Sequence, residues 1–154
     1  MKMFKPWCVA GVLLMAQTAM AQTETRLALQ ALNCSAVFTI FAHVHVQDTP
    51  QAARMNKAAA MFADVYRQEL QPAIVDDASL QAKRRAILED IKATRETRSA
   101  QFHESGVICG AWAEGFLEQG DWYKHVPVYP KVVAMHTRQH YQALAEDALK
   151  RWAP

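Results

Sequence analysis

His136 and His140 stand four residues apart, so on a helix both side chains share one face. That spacing holds a divalent metal when further ligands come from elsewhere in the fold. His43 and His45 are the other candidates, but two residues apart on a helix they point to different sides. At most one of them can join the pair, which leaves His45, His136 and His140 as the set a metal would use. No Glu follows His136, so the His-Glu-x-x-His pattern of zinc peptidases is missing. The plainer reading is four amphipathic residues at the margin of a core, and the expectation is no metal and no cofactor.

Other chemistry finds less support. The chain has no Gly-x-Ser-x-Gly elbow and no Gly-rich phosphate loop. Its adjacent carboxylates, Asp76-Asp77, Glu89-Asp90 and Glu146-Asp147, diverge by about 100° on a helix and do not converge on a substrate. These features point away from an enzyme. Arg84, Arg85, Arg95 and Arg98 could form a basic ligand site, although a solvated helix face explains them as well. The densest recognition signal lies between Asp121 and Pro130, where Trp122, Tyr123, His125 and Tyr129 crowd into a stretch containing two prolines. Large amphipathic rings on an irregular segment are favoured at binding hot spots. Those four residues are therefore the expected contact with a protein partner; the alternative is that they fold back over the open end of a bundle.

The elements that must position these residues begin with a leader. Lys2 and Lys5 precede an apolar run, Trp7 to Met15, and Ala19-Met20-Ala21 follows. A positive start, a short apolar core and a small-x-small exit describe a secretory signal peptide over residues 1–21, with Gln22 as the mature start. The run is too short for a membrane span, which needs about 20 residues. No later charge-free segment is expected to reach that length. Of the 17 basic residues, Lys2 and Lys5 leave with the leader, so the remaining 15 match the 15 acidic ones. A chain of zero net charge lacks the basic excess of a nucleic-acid or anionic-membrane binder. Cys8 leaves as well, and Cys34 and Cys109 remain. In an oxidising compartment a lone pair reads as one disulfide.

Residues 22–154 suit a single all-α domain, a bundle of four main helices, or five if a short fourth counts separately. The first helix is expected from about Glu24 to Val46, nearly apolar all round and therefore central. A second starts at an N-cap Thr49 with Pro50 in its first turn, and ends near Leu70 because Pro72 forbids continuation. A third, outer helix runs from about Ser79 to Phe102 or His103. Gly106 breaks the chain there, and a fourth helix follows from Val107 to Glu118, with Gly110 and Gly115 packing on the first. The fifth spans about Lys131 to Trp152. The expected role is an exported, soluble, protein-binding factor of the periplasm or outside medium, such as an inhibitor, immunity or assembly protein. The alternative is a bundle that binds a small molecule or metal.

The expected mature product begins at Gln22 and carries no alkylatable thiol. Intact-mass spectrometry of natively exported protein, with and without reductant, checks both points; a retained leader or two free sulfhydryls contradicts the expectation.

Overall fold

The computed structural model describes residues 24–45, 47–71, 73–119 and 133–152, with the side chains of 116–119 outside that description. The leader residues 1–21 and the aromatic segment with Trp122, Tyr123, His125 and Tyr129 lie outside the described residues. Among the described residues, five helices make an all-α bundle: α1 (Arg26–Val44), α2 (Thr49–Glu69), α3 (Asp77–Thr94), α4 (Ser99–Gln119) and α5 (Met135–Arg151).

α1 contains no Asp, Glu or Lys, and Arg26 at its start is its only Arg. It is long and apolar enough to cross a membrane by length and composition, contrary to the expectation that no later segment reaches that length. In the bundle 72% of that stretch is buried. The core helix of a soluble protein meets the same length and composition test, because both must hide every face from water. α1 packs against all four other helices, most extensively against α2, while α4 and α5 pair with each other. Leu29 is a large apolar residue left 49% exposed although helical spacing puts it on an apolar face.

The core is aromatic where the helices meet. The Phe38 ring lies 5.4 Å from Phe41, 5.7 Å from Phe62 and 6.2 Å from Tyr141. Phe62 reaches Trp112 at 4.9 Å, and Phe41 reaches Phe102 at 6.3 Å. One web of rings thus joins α1, α2, α4 and α5. Tilted and edge-on pairs at these separations add about 0.5–1.5 kcal/mol each to the area they bury. Cys34 and Cys109 are bonded, with their Cα atoms 5.2 Å apart, and tie α1 to α4 across 75 residues. Closing a loop of that length stabilises by roughly 4 kcal/mol in the chain-entropy account. The buried amide of Gln30 lies beside the sulfurs, with Nε2 at 3.4 Å from Cys34 Sγ and 3.9 Å from Cys109 Sγ.

Helix starts follow local chemistry. Thr25 caps α1 through Oγ1, which accepts from Ala28 N at 3.0 Å. Asp76 caps α3 by accepting from Ser79 N at 2.7 Å. For α2 the cap is Asp48, not Thr49; its carboxylate accepts from Gln51 N at 3.3 Å, and Thr49 is the first helical residue. α5 begins at Met135, a few residues later than expected.

The largest departure lies between α3 and α4. The third helix stops at Thr94, eight or nine residues short of the expected end at Phe102 or His103, and a new one starts at Ser99. Thr94 O accepts from both Thr97 N, at 3.1 Å, and Arg98 N, at 2.7 Å, turning the chain. The hydroxyls of Thr94 and Thr97 add bonds to the carbonyls of Asp90 and Thr94. Hydroxyls that bond to nearby carbonyls offer the backbone an alternative to continued helix. Gly106 breaks nothing. It lies inside α4, where a Cβ would sit 3.0 Å from Ala145 Cβ and 3.3 Å from Phe41 Cζ. Gly110 serves α5 and not α1: a Cβ there would fall 2.1 Å from Cγ of Tyr141, within the ring's own space. Both glycines are the seat on which α5 rests.

Replacing Gly110 by Ala is expected to cost roughly 2–3 kcal/mol, net of a helix-propensity gain of about 1 kcal/mol. Gly106→Ala costs less, because a single methyl must yield. Denaturant midpoints of the two variants check the ranking; an unchanged or raised midpoint for Gly110→Ala means that α5 is not seated there.

Candidate ligand-binding site

α3 is the least embedded helix, with Leu80 its only buried residue. Its first half is held by polar ties. Lys83 Nζ donates to Glu24 Oε1 at 2.7 Å, and the Tyr66 hydroxyl donates to the same oxygen. Arg67 bridges Asp64 and Asp77. Arg84 Nη1 lies 3.3 Å from the buried Ser35 hydroxyl, which itself donates to Ala59 O at 2.9 Å. These ties join α3 to α2 and to the start of α1.

The second half of α3 stands over a cleft of about 80 Å³, open on one side. α1 contributes Asn33 and Val37, and α3 contributes Ile87, Asp90, Ile91, Thr94 and, just past its end, Arg95. Gln101, Phe102 and Ser105 of α4 close it, with Arg98 from the preceding turn. The abrupt end of α3 at Thr94 creates this geometry: a continuous helix would carry Arg98, Gln101 and Ser105 away from α1. Val37, Ile87, Ile91 and Phe102 form an apolar floor. Asp90 Oδ2 lies 3.7 Å from Arg98 Nη1 at the rim. Arg95 is half-buried, and its Nη1 is fully covered with no hydrogen-bond partner among the described residues. Arginine carries five donors, no acceptor and a permanent charge. A half-buried guanidinium with one nitrogen covered and unpartnered holds an incompletely compensated charge at the cleft wall, which an anion meeting the rest of the guanidinium from the cleft would offset.

The four arginines weighed from sequence are divided by the structure. Arg95 and Arg98 meet at the cleft, Arg84 turns to Ser35 and Gln81, and Arg85 is exposed. Asn33, Gln101 and Ser105 were not singled out from sequence; only the convergence of three helices distinguishes them from other polar residues.

The histidines are not assembled. His136 and His140 lie on the exposed side of α5, and His45 caps the end of α1 with a covered Nε2. Among the described residues no group of three His, Cys, Asp or Glu side chains is arranged to hold a metal. The buried Tyr141 has its hydroxyl pKa pushed up to about 12, by burial first and the Glu114 charge second, against a smaller opposing effect of Arg54. It stays protonated at neutral pH and is no general base there. Glu114 instead accepts a hydrogen bond from Thr137 Oγ1 at 3.1 Å.

No protein-family model, curated protein or solved structure matches this chain.

The tie at Glu24 makes the seating of α3 depend on pH. The hydrogen bond from Lys83, and then that from Tyr66, hold the Glu24 carboxyl below its ordinary value against the opposing effect of burial. A lowered folded pKa stabilises the ionised, folded form. That contribution is complete above the ordinary carboxylate value of about 4.3 and disappears as pH falls through the lower folded value. Glu24→Gln is expected to lose about 1 kcal/mol at pH 7, a figure discounted for the half-exposed Lys83 ammonium. The gap between wild type and variant should narrow from pH 7 to pH 3. Denaturation curves at both pH values check this, and an equal gap at the two rules out the Glu24 charge as its source.

Proposed function

We propose that this chain is an exported binding protein of the cell envelope that takes up a small molecule in the cleft between α1, α3 and α4. The observation that carries the reading is the half-buried Arg95 guanidinium, with no ion pair among the described residues, at the wall of a one-sided opening with an apolar floor. An apolar concavity with a few convergent polar groups is the usual form of a ligand site. Export is supported by the leader pattern of residues 1–21 and by the joined Cys34 and Cys109, since disulfides persist in oxidising compartments. The same reading makes α1 a core helix of a soluble protein. A protein partner at Trp122, Tyr123, His125 and Tyr129 is the sequence's first suggestion. The cleft is preferred because it gathers an apolar floor, several hydrogen-bond donors and the Arg95 guanidinium on one concave surface.

The test is an amide-resolved NMR screen of the mature, oxidised protein against small organic acids, amines, alcohols and aromatics. Saturable shifts concentrated on Asn33, Ile91, Arg95, Phe102 and Ser105 support the cleft. Shifts that concentrate elsewhere, or none with any compound, overturn it.

A further inference from the structure

The chemistry of the cleft narrows its ligand, and this step rests on the binding reading just given. Three charged side chains line it: Asp90, Arg95 and Arg98. Asp90 and Arg98 face each other at 3.7 Å, so that carboxylate already has a cationic neighbour. Arg95 has no anionic partner among the described residues. On its other side Arg95 borders a shallow depression that contains Glu96 and Glu146. Glu146 is engaged with Lys150 at 2.7 Å. The lining of the cleft is therefore positive by one charge, and that charge belongs to the residue with the covered, unpartnered nitrogen.

The remaining polar groups suit the same kind of guest. The amides of Asn33 and Gln101 and the Ser105 hydroxyl each offer a donor. Below them the four apolar side chains have no use for a bare inorganic ion. The volume of about 80 Å³ is roughly that of three water molecules in the liquid. It admits a carboxylate and a few carbons, and the open side lets a longer chain protrude.

We propose that the cleft binds the carboxylate end of a short aliphatic acid, with Arg95 pairing the anion and Val37, Ile87, Ile91 and Phe102 enclosing the first carbons. A guanidinium holds a carboxylate through parallel charge-assisted hydrogen bonds, which are about twice as strong as neutral ones. The neutral isostere of the acid forfeits that pairing, whereas formate forfeits the apolar contact. The ligand is so small that its affinity falls in the weak range typical of a handful of heavy atoms.

The test titrates the mature, oxidised protein with propanoate, propanamide and formate, read by amide shifts and calorimetry. Propanoate is expected to saturate shifts at Asn33, Ile91, Gln101 and Ser105, and to bind about tenfold or more tightly than propanamide. Formate is also weaker than propanoate. Arg95→Gln lowers propanoate affinity by a similar factor and leaves propanamide unchanged, and Arg95→Lys falls between. Melting temperatures verify that both variants fold, and the comparison among ligands on wild type needs no variant. Equal binding of propanoate and propanamide, an undiminished Arg95→Gln, or no saturable shift with propanoate overturns the carboxylate assignment. Formate equal to propanoate overturns the role of the apolar floor. If neutral compounds from the wider screen still reach the cleft, the binding reading stands and only the ligand class falls; if nothing reaches it, both fall.

Discussion

Everything in this bundle follows from one helix that must be hidden on all sides. From Leu27 to Val44 there is no Asp, Glu, Lys or Arg. Such a cylinder cannot rest on a single partner, because its opposite face would remain in water. Four other helices surround it, and each must present an apolar stripe inward. α2, α4 and α5 do so with the aromatic side chains that meet at Phe38 and Phe62. α3 covers what is left with a thin stripe, and its polar contacts with Glu24, Ser35 and Arg67 make up the difference.

The thinness of that stripe has a functional side. A helix held by one buried leucine, three partly buried aliphatic residues and several ion pairs leaves imperfect contact along its length. The Glu24, Asp77 and Arg84 contacts all lie in the first half of α3 or bear on it. The cleft lies under the second half. Polar anchoring and openings along α3, beside Leu80 and Arg84 as well as at the cleft, are two outcomes of one shortage of apolar surface. Exposed ion pairs contribute little individually, so this wall of the site is also its least stable element.

Much of the architecture could be read from residue order. Pro72 and Asp76 bracket the gap between α2 and α3. Ala58, Ala59 and Ala63 mark the face of α2 that lies close to α1. The pairing of Cys34 with Cys109 was implied as soon as Cys8 was assigned to the leader. The turn at Arg95 to Arg98 was not legible, because it contains neither Gly nor Pro and sits in a run of charged helix formers. It exists because Phe102 and Val107 must both reach the core, which an uninterrupted helix along α3 would prevent. Gly106 misled for the complementary reason: glycine reads as a breaker in isolation, but here a tertiary contact needed its missing side chain. The cleft was half visible. Arg95 and Arg98 stood out by charge; their separation from Arg84 and Arg85 depends on where α3 stops.

The covalent tie also divides the molecule unequally. The ring closed through Cys34 and Cys109 encloses α2 and α3 completely, whereas α5 lies beyond it in the chain. Nothing covalent except the backbone after Gln119 keeps α5 in place; the Tyr141 ring sits over Gly110 and Ala145 over Gly106, with Thr137 bonded to Glu114 and Arg138 paired with Glu104. Loss of register there would uncover Phe38 and the glycine face of α4 while the cross-linked remainder kept its topology. The oxidised protein is thus a locked frame with a removable stave.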